Sequence, residues 1–427
     1  MNVHFYTLGC KVNQYETQSI KEMFLEKFYD CDKNKKPDII IINSCTVTAE
    51  SDRKTGQLLR KLRRENENSV IVLTGCMVQA FPEKSIKLNL ADIVVGNKDI
   101  TKIITLTEKF IRNRKSISNI EEHKNGDLYN TPPVNDFSER TRAFMKIEDG
   151  CDRYCSYCII PKARGFVRSR DLDDIKKEAQ RLADNGYHEI VLVGINLSAY
   201  GKGTNYNICD AVDAVCSVDK IKRVRLGSLE PDHITDEMLL RLKKQEKFCE
   251  QFHLSLQSGC DETLKRMNRH YDTHFYFDLV ERIRTIFDNA SVTTDVMVGF
   301  AGETDDEFNN SLDFVNKIGF ARTHIFTYSR RDGTVAAELK TQVQKSVKEK
   351  RSKQMSQVCT RSEKDFLQRQ CGNVFPVLFE TSNNGCQVGY TPNYSRVKVF
   401  TDENLTGKII NIKLIKAEND FCIGEMV

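Results

Sequence analysis

Apolar residues in the first hundred positions fall in three short runs, at 3–8, 38–43 and 70–74, each followed by a stretch whose apolar positions recur at helical spacing. That alternation predicts βαβαβ, with one crossover helix beginning near Ser51 and carrying Leu58, Leu59 and Leu62 as its apolar stripe. A second series opens at 143–147 and continues at 189–193, 223–226, 252–256, 292–298 and 323–328, with helical stretches such as 171–185, 236–245 and 275–289 between the runs. After a polar helix over 341–369, five short alternating runs at 374–380, 387–390, 396–400, 409–415 and 421–426 are set apart by Asn, Gly and Asp turns. Five short strands predict a small β-barrel of OB type. The expected class is α/β: an N-terminal open parallel βα domain over 1–112, a central β/α domain over 137–367 and the C-terminal barrel over 370–427.

A chain of 427 residues has room for several such cores. Its 40% hydrophobic and 29% charged residues exclude a disordered or collagen-like protein. The surplus of 64 basic over 60 acidic residues leaves a net charge of +4, which neither demands nor excludes a nucleic-acid partner. No apolar run approaches the ~18 to 20 residues of a membrane span, and the amino terminus has neither a basic segment nor a long apolar stretch. A cytoplasmic protein with no membrane partner is expected. Fifteen cysteines in so large a chain do not suit a disulfide scaffold, which leaves metal binding to account for some of them.

Two sets of three cysteines stand out. Cys10 in TLGC, Cys45 in NSC and Cys76 in TGC each close one of the first three strand runs. Ligands of open parallel sheets bind beyond the carboxyl ends of the strands, so these three can converge on an iron-sulfur cluster with one open iron. Any one of them alone would read as a core thiol; Cys31 lacks the placement and is an ordinary thiol. Cys151, Cys155 and Cys158 in GCDRYCSYC form a C-x3-C-x2-C triplet, again one ligand short of a closed four-iron cluster. A structural zinc site would need a fourth ligand, and no second cysteine pair or nearby histidine follows.

The triplet, with Tyr157 before its last cysteine, resembles the radical S-adenosylmethionine motif. The order of the three domains resembles the methylthiotransferase family along essentially the whole chain. Within it, TLGCKVNQYET, NSCTVTAESDRK and TGCMVQ look most like the tRNA threonylcarbamoyladenosine branch; the isopentenyladenosine branch typically reads GCQMN where residues 9–13 read GCKVN. The resemblance implies a partial (β/α)6 barrel with its active site at the strands' carboxyl ends, and a tail like the RNA-binding TRAM module. It further implies two 4Fe-4S clusters: one on Cys151, Cys155 and Cys158 that reduces S-adenosylmethionine to a 5′-deoxyadenosyl radical, and one on Cys10, Cys45 and Cys76 that carries the sulfur. The implied reaction is methylthiolation of carbon 2 of N6-threonylcarbamoyladenosine at tRNA position 37. Isopentenyladenosine tRNA, or a ribosomal-protein aspartate, remains an open alternative target, and a non-catalytic RNA-binding protein with structural metal an alternative of another class.

The implied partners are the anticodon stem-loop of tRNA, an external electron donor such as flavodoxin or ferredoxin and a sulfur source, with the protein itself a monomer. Tyr157, Asn196, Ser228, Glu230, Gln257 and Asp295 are the residues the resemblance offers for binding S-adenosylmethionine, the last five also readable as strand-end turns or caps. Arg330 and Arg331, after the last barrel strand, are the expected substrate contacts, Arg330 for the threonylcarbamoyl carboxylate. From residue 371 on, five basic residues face six acidic ones, so phosphate contacts are expected elsewhere. The candidates are Lys162, Arg164, Arg168 and Arg170, or Arg53, Lys54, Arg60, Lys61, Arg63 and Arg64.

Overall fold

The computed structural model describes residues 1–27, 29–137 and 140–427. The strands Val3–Thr7, Ile39–Ser44, Val70–Gly75, Ile93–Val95 and Ile117–Asn119 form one parallel sheet in chain order. The run Ile39 to Ile42 is wholly buried, because helices cover both faces: Ile39 and Ile41 pack with Phe24 and Ile103, Ile40 and Ile42 with Leu59 and Leu62. Thr48 starts the helix Ala49–Glu65 by accepting the backbone N–H of Ser51. The last two strands, three residues each, were not foreseen.

The central region carries two further parallel sheets. One joins Arg142–Lys146, Glu189–Val193 and Arg223–Leu226; the other joins Ser228–Leu229, Gln251–Leu254, Ser291–Val298 and Arg322–Thr327. They meet where Val224 N donates to Lys247 O (2.8 Å) and Cys249 N to Val224 O (2.9 Å). Helices Leu172–Asp184, Ile208–Cys216, Asp236–Lys243, Thr273–Ile286 and Asp305–Ile318 bury one face of these sheets, and each is started by a capping side chain: Asp171, Asn207, Thr235, Asp272 and Thr304. The other, inner face carries charged and polar side chains among apolar ones such as Phe144 and Val191. Register sets Arg142, Glu189 and Arg223 in one row, and His253, Asp295 and His324 on the same side of the second sheet.

Helix Lys345–Gln370 begins four residues later than the sequence pattern suggests. Near its start, Lys348 Nζ donates to Tyr328 O (2.8 Å) and Arg351 pairs with Glu303 (2.6 Å), while near its end Phe366 and Leu367 enter the core of the tail. The tail is a closed five-stranded barrel ordered Val374–Asn383, Cys386–Tyr390, Arg396–Phe400, Phe421–Met426, Ile409–Glu418. Its one parallel pairing joins Arg396–Phe400 to Phe421–Met426. Among the described residues no helix is long and apolar enough to cross a membrane.

Candidate active site

The first three cysteines stand in line at the edge of the amino-terminal sheet. Thr7, Asn43 and Thr74 are register partners, and Cys10, Cys45 and Cys76 follow them by three, two and two residues. Two glycines permit the approach. Gly9, at φ +130°, would carry a Cβ only 3.0 Å from that of Cys45. A Cβ on Gly75, at φ +100°, would lie 2.4 Å from Asn43 Oδ1 and from Ser44 O. Cys10 is also the N-cap of helix Lys11–Glu26. Cys10 is exposed and Cys45 and Cys76 are buried, and Cys10 and Cys76 each feel the charge of the neighbouring thiols.

The second triplet lies in a loop held from several sides. Cys151 N donates to Gly165 O (3.0 Å), Cys158 N to Cys155 O (2.9 Å), and Ser156 N to Met267 O (2.9 Å). Asn268 Nδ2 donates to Tyr154 O at 3.0 Å. N–H groups point at two of the sulfurs: Ile160 N at Cys158 Sγ (3.4 Å) and Arg269 Nη1 at Cys155 Sγ (3.2 Å). Burial pushes Cys158 up to about 12 and raises Cys151 further still. Buried thiols of this kind are costly as thiolates unless a positive centre replaces the proton, which is what iron supplies. Among the described residues no three His, Cys, Asp or Glu side chains converge as ligands of a single metal ion; a four-iron cluster spreads its thiolates over separate irons. The donor set, three thiols per group with N–H groups aimed at sulfur, fits such clusters.

Arg164 joins the two groups. Helix Cys76–Ala80 packs on helix Ile160–Arg164, which follows the second triplet, through Cys76, Ala80, Ile159 and Ala163. From that helix Arg164, fully buried, donates from Nε to Cys76 Sγ (3.2 Å) and from its Nη atoms to both Glu16 oxygens. Its charge also opposes the rise in pKa that burial imposes on Cys10 and Cys76, the latter to about 12. Lys146 Nζ lies 2.7 Å from both Glu16 and Asp149, and Arg168 is 3.2 Å from Asp149. Nearby, Arg170 pairs with Glu178 at 2.5 Å, and Tyr15 Oη from the first helix donates to the same carboxylate at 3.0 Å. Arg164, Arg168 and Arg170 are therefore not phosphate contacts: carboxylates neutralise each of them inside the seam between the first two regions. Arg53 is paired with Glu50 and Arg63 with Asp92, so Lys54, Arg60, Lys61 and Arg64 are what remains of the exposed basic stripe, together with Lys162.

The remaining expected residues divide into several groups. Asn196 is buried and neither atom of its amide has a hydrogen-bond partner, while its backbone N donates to Glu148 Oε2 at 2.7 Å. Glu148 was not anticipated. It is fully buried, its Oε1 has no partner, and desolvation holds its carboxyl well above the usual carboxylate range. Gly194 makes room for it, since a Cβ there would lie 2.5 Å from Glu148 Oε2. Glu148 acts electrostatically on Cys151, so this unsatisfied acid and amide border the second triplet and suit a ligand with polar groups of its own. Glu230 is ion-paired to Arg269, the same residue that donates to Cys155.

Gln257 takes φ +67° and is bonded through its backbone to Asp295 O (2.9 Å), and the Asp295 carboxylate lies 3.4 Å from His253 Nε2. Ser228 is exposed on the short strand it opens. Tyr157 packs edge-on to Phe300 (6.3 Å between centroids) in an apolar cluster behind the loop. Gly299 and Gly302 both adopt left-handed φ, and Gly299 makes room for Lys348 of the long helix.

Arg330 is exposed and, among the described residues, has no hydrogen bond or ion pair. Arg331 is buried, pairs with Asp52 (2.8 Å), bonds Thr46 and stacks over Phe81 (4.6 Å). Its guanidinium is committed to the first region and is not available to a substrate. Lys11, the first residue of the helix that Cys10 caps, is the exposed lysine of the GCKVN stretch.

Comparison with known proteins places this geometry. Residues 145–315 match the model of the Radical SAM superfamily, and residues 2–96 match that of the Uncharacterized protein family UPF0004. The threonylcarbamoyladenosine tRNA methylthiotransferase MtaB of Bacillus subtilis (strain 168) is 36% identical over 433 residues, covering 100% of this chain and 96% of that protein. The tRNA-2-methylthio-N(6)-dimethylallyladenosine synthase of Clostridium perfringens (strain SM101 / Type A) is 32% identical over 434 residues, 99% and 96% of the two chains. Among solved structures, the radical S-adenosylmethionine methyltransferase TsrM of Kitasatospora setae superposes with a TM-score of 0.56 at 12% identity, over 79% of this chain and 77% of that one. At that identity the likeness speaks for the fold alone.

Proposed function

The chain belongs to the radical S-adenosylmethionine methylthiotransferases, and from that premise we propose that it converts N6-threonylcarbamoyladenosine at tRNA position 37 to its 2-methylthio derivative. The observation that carries the proposal is the packing of Cys76 against the helix that follows Cys158, with Arg164 reaching from one cysteine group to the other. It supports a single cavity served by both groups, as an enzyme that makes a radical and delivers a sulfur requires. The greater likeness to the threonylcarbamoyladenosine enzyme than to the dimethylallyladenosine enzyme supports the choice of substrate.

In this reading residues 1–112, 137–367 and 370–427 are three domains. The two central sheets are a splayed partial (β/α)6 barrel, and the tail barrel is a TRAM module that grips the anticodon arm. Cys10, Cys45 and Cys76 hold one 4Fe-4S cluster and Cys151, Cys155 and Cys158 the other. When bound, the clusters and S-adenosylmethionine supply the one-electron chemistry and the sulfur that no side chain can provide. The chain's own work is to hold and to shield. Asn196 and Glu148, both unsatisfied and adjoining the second triplet, offer an amide and a protonated carboxyl to the polar end of the cofactor, with Glu230, Gln257, Asp295 and Ser228 along the same strand ends. Arg269 and Ile160 N donate to sulfur and would stabilise the added negative charge of a cluster held there. Tyr157 braces the loop from behind, and Arg330 at the mouth meets the RNA. The reaction draws on a flavodoxin- or ferredoxin-type donor and a separate sulfur source, in the cytoplasm.

Nucleoside mass spectrometry of tRNA from a deletion strain tests this. The 2-methylthio derivative of threonylcarbamoyladenosine should vanish while threonylcarbamoyladenosine itself persists. Loss of the isopentenyladenosine derivative instead would transfer the chain to the sister branch. Zinc without sulfide in the purified protein would favour a binding protein with structural metal.

A further inference from the structure

The inner face of the central sheets is crowded with charge, and nearly every charge there is spoken for. Arg225 Nε lies 3.0 Å from Glu189 Oε1, and its Nη1 donates to Pro392 O at 2.9 Å. Arg142 Nε is 2.5 Å from Glu380, and Arg223 donates to Tyr390 O at 3.0 Å. Lys11 is the exception. It is solvent-accessible and, among the described residues, has neither a hydrogen bond nor an ion pair, and its Nζ stands over the ring of Phe144, 5.8 Å from the centroid. Arg142, Arg225 and Glu189 act on it electrostatically from one sheet, and it acts on His324 in the other, so its side chain reaches into the space both sheets face. Lys11, Arg142, Arg223 and Arg225 outnumber Glu189, Glu380 and, on the facing sheet, Asp295, which leaves this space with a surplus of positive charge able to take an anion.

Lys11 is also the residue after Cys10, so its Cα is about 3.8 Å from that of a proposed cluster ligand. In adenine, carbon 2 and the carbon bearing N6 flank the same ring nitrogen. A base presenting carbon 2 to the sulfur at the first cysteine group therefore carries its N6 substituent within reach of a lysine arm rooted there. We propose that Lys11 is a specificity-determining residue: its ammonium takes the carboxylate of the threonylcarbamoyl group. This rests on the substrate reading above. A carboxylate drawn into a recess needs a charged donor, and a flexible point charge with three donors suits a carboxylate on a rotatable aliphatic arm. Arg330, at the mouth beside Ser329 and Ala49, is then left to the RNA backbone.

The test is anaerobic equilibrium binding of the reconstituted enzyme, normalised to iron content, to three anticodon stem-loop RNAs. One carries threonylcarbamoyladenosine, one its carboxamide analogue and one plain adenosine. The wild type should bind the acid about tenfold or more tighter than the amide. Lys11→Gln should erase that preference by weakening the acid alone, Lys11→Arg should keep part of it, and Arg330→Ala should weaken all three RNAs alike. A preference that survives in Lys11→Gln, equal losses on all three RNAs in that variant, or loss of the preference in iron-replete Lys11→Arg overturns the assignment. Loss of the preference in Arg330→Ala alone moves the carboxylate to the mouth and also overturns it. A wild type that methylthiolates the acid-bearing RNA yet binds acid and amide equally refutes Lys11 and spares the substrate reading. A wild type that acts only on isopentenyladenosine RNA refutes the substrate reading itself.

Discussion

Replacing Arg164 by methionine keeps an unbranched apolar stem but removes the guanidinium and its charge, and the outcome should separate folding from cluster retention. The buried seam holds the cations Lys146, Arg164 and Arg168 against the anions Glu16 and Asp149, so a thiolate at Cys76 brings the two signs level. After Arg164→Met two cations face two anions and the seam is level with Cys76 as a neutral thiol. Breaking a buried pair commonly costs about 3 to 5 kcal/mol. The lower figure applies here, since Lys146 still faces Glu16 at 2.7 Å. The lost N–H to Cys76 sulfur is a charge-assisted bond, about 1.5 to 3 kcal/mol, and it falls on a thiol that burial already holds near 12. The variant should therefore fold with stability reduced by about 3 kcal/mol, lose iron selectively from the first cysteine group, and still cleave S-adenosylmethionine at the second. Anaerobic denaturant titration, iron and sulfide analysis and assay of 5′-deoxyadenosine measure the three. Wild-type stability with a full iron complement would falsify the charge balance drawn here, and equal iron loss from both groups would show that Arg164 only props the fold.

Cys151→Ala, Cys155→Ala and Cys158→Ala should each end cleavage of S-adenosylmethionine; 5′-deoxyadenosine made by any of them would sink the assignment of that triplet. Cys10→Ala, Cys45→Ala and Cys76→Ala should leave cleavage measurable and end methylthio transfer, and product formed by these variants would return the three to the status of core thiols. His123, whose ring lies 3.1 Å from Asn97 Oδ1, has its pKa lowered to about 4, chiefly by burial. An imidazole held neutral in the fold contributes stability that is full above its ordinary value near 6.5 and is lost as pH falls toward 4, by at most about 3 kcal/mol. Wild type and His123→Gln compared by denaturation at pH 7 and 4.5 should thus differ in slope, the wild type losing more; parallel curves would refute the burial argument.

The strands Ile39–Ser44 and Val70–Gly75 were legible because they are buried on both faces and read as nearly unbroken apolar runs, the others because their apolar positions recur between turn signals, and the placement of Cys10, Cys45 and Cys76 followed from where the first three runs stop. Strands of three residues, Ile93–Val95 and Ile117–Asn119, are too short to leave such a mark. The cluster of Arg164, Arg168 and Arg170 looked like a basic face because its partners are remote in sequence: Glu16 lies 148 positions from Arg164. Whether an arginine meets phosphate or a buried carboxylate is decided by tertiary packing, which no local pattern reports. Glu148 was hidden for a related reason, since an acid beside a cysteine motif shows its burial and its missing partner only once Gly194 and Asn196 are folded against it.

The helix Lys345–Gln370 has a further consequence. At 26 residues it is a strut about 39 Å long, fastened at one end to the carboxyl side of the central strands and at the other inside the core of the tail barrel. A strut fixes distance. The tail has no loose tether on which to search, so in the proposed reading, where it grips the anticodon arm, the RNA would be delivered to the mouth at one separation. On that reading size would become a criterion of recognition in its own right: a free nucleoside would fill the cavity and still forfeit everything the tail contributes, while a stem-loop of the right reach would be measured against the protein before its bases are read.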